Sequence, residues 1–102
     1  MRKELTMKPV KRKSRSAIAV GNSVFIRTVT MAFTGKIVEA TEHALVLSDA
    51  AWIAYTGRFA DFLKTGTASG MEVEPYPGDV TIPCGGIIDV STWNHPLPRE
   101  QK

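Results

Sequence analysis

The sequence predicts a mainly β fold: about five short strands curled into a small barrel, with one short helix and a basic arm in front. Three observations carry that expectation. Runs rich in β-branched and aromatic residues recur along residues 17–93, a composition that suits a pleated, half-buried surface. Glycine, proline and short polar residues punctuate those runs as turns. Only one well-marked stretch, near residue 60, places apolar residues at helical spacing.

Along the chain, residues 1–16 carry no periodicity, and the boundary falls where Ala17, Ile18, Ala19 and Val20 begin an apolar run. Gly21-Asn22 reads as a turn. Residues 23–30 form the first strand through Val24, Phe25, Ile26, Thr28, Val29 and Thr30. Residues 31–41 continue in that style through Phe33, Ile37 and Val38, so a tight turn is expected near residues 29–31. Gly35 inside this run marks a bulge or sharp bend, which a small barrel needs to turn its corner. Glu42-His43 forms a hairpin tip. Ala44, Leu45, Val46 and Leu47 make a short buried strand that Ser48-Asp49 ends or bulges.

Residues 50–55 admit two readings. Ser48 or Asp49 can cap a short helix closed by Gly57, or Trp52, Ile53 and Tyr55 can prolong the strand. Residues 58–64 are the best helix, because Phe59, Phe62 and Leu63 form one apolar stripe. Thr56 is placed to cap its start and Gly66 its end, with Arg58 and Asp61 spaced to pair on the outer side. Residues 71–74 read as a strand, and Pro75-Tyr76-Pro77-Gly78 as a rigid turn. Residues 79–82 and 86–93 are the last strands, separated by Pro83-Cys84-Gly85. The organisation is an arm over 1–16, a barrel over 17–93 and a polar tail over 94–102. At 102 residues the chain fits one domain with a thin core.

Charge is unevenly placed. The arm holds Arg2, Lys3, Lys8, Lys11, Arg12, Lys13 and Arg15 against Glu4 alone, a net +6. The whole chain is +3, so residues 17–102 are net −3. A basic arm on an acidic body points to phosphates or to an acidic neighbour in an assembly. Without interleaved aromatics, the arm is not expected to stack on bases.

The residue types that carry chemistry are sparse. Cys84 is the one cysteine, which excludes an internal disulfide and any zinc site built on cysteine pairs. His43 and His95 stand apart with no donor at ligand spacing. Glu72 and Glu74 alternate along a strand, where solvated acids are commoner than an acid–base pair. There is no phosphate-binding glycine loop and no nucleophile–base arrangement. A non-enzyme without metal or cofactor is expected. No apolar run follows the basic N-terminal residues as in a signal peptide, and none is long enough for a membrane helix. The expected setting is therefore cytoplasmic or virion-associated, with no membrane partner.

The segments Val24-Phe25-Ile26, Phe33-Thr34-Gly35-Lys36-Ile37 and Ala44-Leu45-Val46-Leu47-Ser48-Asp49 resemble the first motif of Sm-like proteins. That motif is a strand, a glycine-bent second strand and a third strand ending in a polar turn. Thr81-Ile82-Pro83 with Gly86-Ile87-Ile88-Asp89-Val90 is similar to the paired strands that close an Sm barrel. The pattern covers about half the chain and also suits an SH3-like barrel. The resemblance implies a small barrel that assembles into rings and holds RNA. Sm-like proteins hold bases with Asp and Asn after the second strand, where this chain has Glu39-Ala40-Thr41-Glu42-His43. The run from Asp49 to Phe59 also resembles small phage and bacterial proteins. A self-associating structural module of a phage or phage-derived assembly is the leading expectation, and an Sm-like RNA-binding ring the alternative. Trp52, Tyr55, Phe59, Phe62, Tyr76 and Trp93 supply more aromatic surface than a thin barrel hides; some are expected in the core, and those of Trp52, Tyr55, Phe59, Phe62 and Trp93 left at the surface are the candidates for an oligomer interface.

Overall fold

A computed structural model describes residues 15–102. The arm residues Arg2, Lys3, Lys8, Lys11, Arg12 and Lys13 lie outside the described residues, while Arg15 is exposed at their start. The strands are β1 (Ser23–Thr28), β2 (Ala32–Ala40), β3 (Ala44–Ala54), β4 (Glu72–Pro75), β5 (Val80–Pro83) and β6 (Ile87–Thr92). Helix α1 (Phe59–Thr65) follows β3, and a single 3-10 turn, Cys84–Gly86, joins β5 to β6.

All pairings are antiparallel in one six-stranded sheet, ordered β4–β3–β2–β1–β6, with β5 also joined to β3. Two sequence expectations need correction here. Among the described residues there are six strands, not five, and the sheet is open instead of closing into a barrel. The reason lies in β3. Its first half, Ala44 to Leu47, pairs with β5, and its second half, Ala51 to Ala54, pairs with β4. Both partners are only four residues long. β5 spends all four on β3, ends at Pro83, which has no N–H to donate, and the chain then turns to reach the opposite edge beside β1. Residues 50–54 are strand, which settles the ambiguous stretch.

The long strand is bent by a bulge. Thr34 stands opposite Ala51 and Lys36 opposite Ser48, so Asp49 and Ala50 together face Gly35. Asp49 takes a left-handed backbone with φ of 49°, as a bulge demands. Gly35 is required by close approach, because a β-carbon there would sit 3.0 Å from the Leu47 β-carbon and 3.3 Å from that of Ala50.

Strand alternation feeds two cores, one on each face of the sheet. On the inner face Val24, Ile26, Ile37, Leu45, Leu47 and Ile82 pack together. On the outer face Phe25, Ile53, Phe62, Met71, Val73 and Trp93 form a second cluster. Helix α1 supplies that outer layer through the predicted stripe: Phe62 is fully buried, with Phe59 and Leu63 packed beside it. β1 is thus buried on both sides.

The helix ends differ from expectation at one side only. Arg58, not Thr56, is the N-cap, and it makes no side-chain cap hydrogen bond. Gly66 closes the C-terminus as predicted, left-handed at φ 78°, its N–H donating to the Phe62 carbonyl. His95 completes that cap. Its Nε2 lies 2.7 Å from the Leu63 carbonyl oxygen, where an N–H satisfies one of the orphan acceptors of the last turn. The residues after β6 pack back on the domain: Trp93 Nε1 donates to the Pro96 carbonyl, Arg99 pairs with Asp49 at 3.1 Å, and Val73 and Lys102 exchange backbone hydrogen bonds. That exchange covers the outer edge of β4, an edge that would otherwise offer free pairing groups.

Candidate interaction surface

β1 and β2 meet in a tight tip at residues 29–31. The Thr28 N–H donates to the Met31 carbonyl at 2.7 Å, and Met31 N–H returns a bond to Thr28 Oγ1 at 3.0 Å. Val29 N–H reaches the Gly86 carbonyl at 3.2 Å, tying the tip to the 3-10 turn. The tip is therefore braced, yet two of its three side chains, on either side of exposed Thr30, are apolar and outward: Val29 is 77% exposed and Met31 40%. Apolar residues hold positions where Gly, Asn, Asp or Ser are usual.

Tyr55 stands beside them, one residue beyond β3. It is 70% exposed and left-handed at φ 61°. A non-glycine residue rarely holds that conformation, least of all a bulky one. Two clefts flank the tip on opposite faces of the sheet. The outer, of about 450 Å³, is walled by Phe25, Ile53, Tyr55 and Phe59 together with the tip. The inner, of about 290 Å³, is walled by Phe33, Tyr76, Val80 and Ile82 together with the tip.

The outer cleft carries one cation, and that cation is partnered. Arg27 and Asp89 sit directly opposite on β1 and β6. Arg27 Nε donates to both carboxylate oxygens, at 2.9 and 3.1 Å, and Nη2 makes a further ion-pair contact to Oδ2. The guanidinium lies 4.0 Å from the Phe59 ring centroid, a cation–π stack that fixes its plane. The hydrogen bond from Arg27 holds the Asp89 carboxyl below the ordinary aspartate range, and the same bond raises Arg27. A depressed folded-state value means the pair stabilises above the unfolded aspartate pKa of about 3.9 and is lost as pH falls through the lower, folded value. Asp89→Asn should therefore differ most from the parent in thermal midpoint above about pH 5, and the gap should close as pH falls through the lowered Asp89 value. A constant gap across that range would contradict the assignment.

The five aromatics expected at an interface are divided by the fold. Phe62 and Trp93 lie in the outer-face core, with ring centroids 5.2 Å apart. Trp52 is half-buried against the inner cluster. Phe59 is half-buried under Arg27. Tyr55 alone among them projects outward, and it joins Val29 and Met31 around the outer cleft. Sequence reasoning missed Val29 and Met31, although apolar side chains at a turn were a usable signal.

Cys84 opens the 3-10 turn, its N–H donating to the His43 carbonyl at 2.8 Å. Among the described residues no three His, Cys, Asp or Glu side chains gather as a metal site, and no helix is long and apolar enough to cross a membrane. Compared with protein-family models, with curated proteins and with solved structures, the chain matches none of them.

Proposed function

We propose that this domain is a non-enzymatic interaction module, a curled sheet of the Sm- or SH3-like kind that self-associates as a repeated subunit of an assembly. The observation that carries the reading is the apolar tip: Val29 at 77% and Tyr55 at 70% exposure, side by side at one end of the sheet. A braced turn that presents valine and methionine to water gains nothing by it in a lone domain. The backbone strain at Tyr55, of order 1–3 kcal/mol, is of the sort kept where a side chain must be aimed at a ligand or partner.

A second copy suits this surface because the opposite end of the domain is also apolar. Ile18 is 46% and Val20 66% exposed, and both lie beside the start of β1, where Gly21 N–H donates to the Ile37 carbonyl. One copy's tip can meet the next copy's chain start, a head-to-tail contact. The phage setting rests on the resemblance of residues 49–59 to small phage and bacterial proteins.

Val29→Ser and Tyr55→Ala each remove exposed apolar surface, so the fold should survive. Each should weaken self-association tenfold or more, equivalent to about 1.4 kcal/mol. Light scattering over a dilution series reads this as a rise in the concentration at which the multimer forms. Folded variants that assemble at the parent's concentration would remove the tip from the interface.

A further inference from the structure

The inner cleft has an uncharged lining. Phe33 and Ile82 are buried and form its floor, while Val29 and Met31 stand exposed at its lip. Such a cleft favours an apolar side chain over water. We infer that its occupant is the segment of residues 1–14 from a neighbouring copy, with Leu5 and Met7 as the apolar anchors. This rests on the self-association proposed above and names what completes it.

Four observations lead there. Leu5 and Met7 are two residues apart, so an extended segment turns both to one side, and an unbranched methionine adapts to an irregular gap. Lys8 directly follows that pair and Lys3 precedes it, separated from Leu5 by Glu4, while exposed Asp79 directly precedes Val80 at the cleft. The arm at +6 meets a body at −3, so approach is steered as well as anchored. The placement fits too. The described chain starts at the end of β1 remote from the tip, where Ala17 packs on the inner cluster. The six residues of β1 put the two ends about 17 Å apart. In the head-to-tail arrangement, the described chain begins at the end that faces the next copy's tip. Fourteen residues span at most about 46 Å, enough to cross the lip and run the length of the cleft.

The test uses the full-length chain in a Cys84→Ser background. Copies carrying Met7→Cys are mixed with copies carrying Thr81→Cys, an exposed position lining the cleft, or with copies carrying Asp61→Cys, exposed on α1, as control. Mild oxidation should give the Met7–Thr81 mixed disulfide at least tenfold over the control. The double variant Leu5→Asp, Met7→Asp should fall to the mass of a single chain. If that variant stays multimeric and both positions cross-link equally, the arm does not fill the cleft, and self-association through the tip stands without it. If a chain bearing both cysteines closes only on itself, the occupant is its own arm and the inference fails. If the parent has the mass of a single chain at every concentration, the inference fails together with the self-association it rests on.

Discussion

Phe25→Ala should destabilise the domain by about 3–5 kcal/mol. Phe25 is 1% exposed and lies at the centre of the outer-face layer. Its ring centroid is 5.1 Å from that of Phe62, 6.0 Å from Trp93 and 6.1 Å from Phe59. Truncation removes the side chain that joins the sheet to α1 and leaves a cavity walled by rings too rigid to collapse into it. A domain of this size has roughly 5–15 kcal/mol in hand, so a fifth or more of it goes. The urea midpoint should drop accordingly, with the slope retained. A loss under about 1 kcal/mol would mean that the aromatic layer repacks freely, contrary to its tight ring contacts.

Gly35→Val should be of comparable severity for the opposite reason. At Gly35 even a methyl group meets the Leu47 β-carbon and Cδ1, each at 3.0 Å, and the Ala50 β-carbon at 3.3 Å. The leucine terminus can move aside, but its β-carbon and that of Ala50 are fixed by the strand they belong to. Overpacking of this kind typically costs about 1–3 kcal/mol, and valine adds two further methyls at the place where β3 bends. Loss of the bulge would shift the register between β2 and β3 and turn buried residues outward. The expected result is a lower thermal midpoint than Gly35→Ala, with weakened near-ultraviolet dichroism from displaced aromatics. A valine variant as stable as the parent would mean the bend does not depend on close approach at Gly35.

Much of this fold was legible because its signals are local. The composition of residues 23–30 announced β1, which stops two residues sooner at Thr28, the spacing of Phe59, Phe62 and Leu63 announced α1, and Gly66 announced its end. Gly35 was legible as a bulge or sharp bend because a glycine inside a strand run marks one, and Ser48-Asp49 as the place where the third strand ends or bulges; the close approach at Gly35 and the left-handed backbone of Asp49 are seen only in the fold. Residues 50–55 stayed ambiguous because their strand character is settled from afar: Trp52 lies opposite Glu74 and Ile53 opposite Val73, some twenty residues on. Local sequence cannot weigh a pairing it does not contain.

The barrel expectation went too far for a related reason. Strand count and spacing favour closure, but closure depends on whether the terminal strands meet, and here β5 is used up on β3. The aromatic surplus was read against one interior. In the fold there are two, because α1 covers the outer face, and Phe62 and Trp93 belong to that second layer. His95 escaped attention as a tail residue because its partner, the Leu63 carbonyl, is 32 residues away. What remained for the surface was Tyr55, with Val29 and Met31 beside it.

The central claim is self-association through that end of the sheet, and the native mass of the unaltered full-length chain tests it most directly. We would measure it by light scattering at moderate salt, over a range of concentrations, with absorbance at 260 nm followed alongside. The account predicts a mass several times that of one chain, with no nucleic-acid absorbance and no change on nuclease treatment. A single-chain mass at every concentration, or a multimer that dissolves once nuclease removes bound RNA, would contradict it.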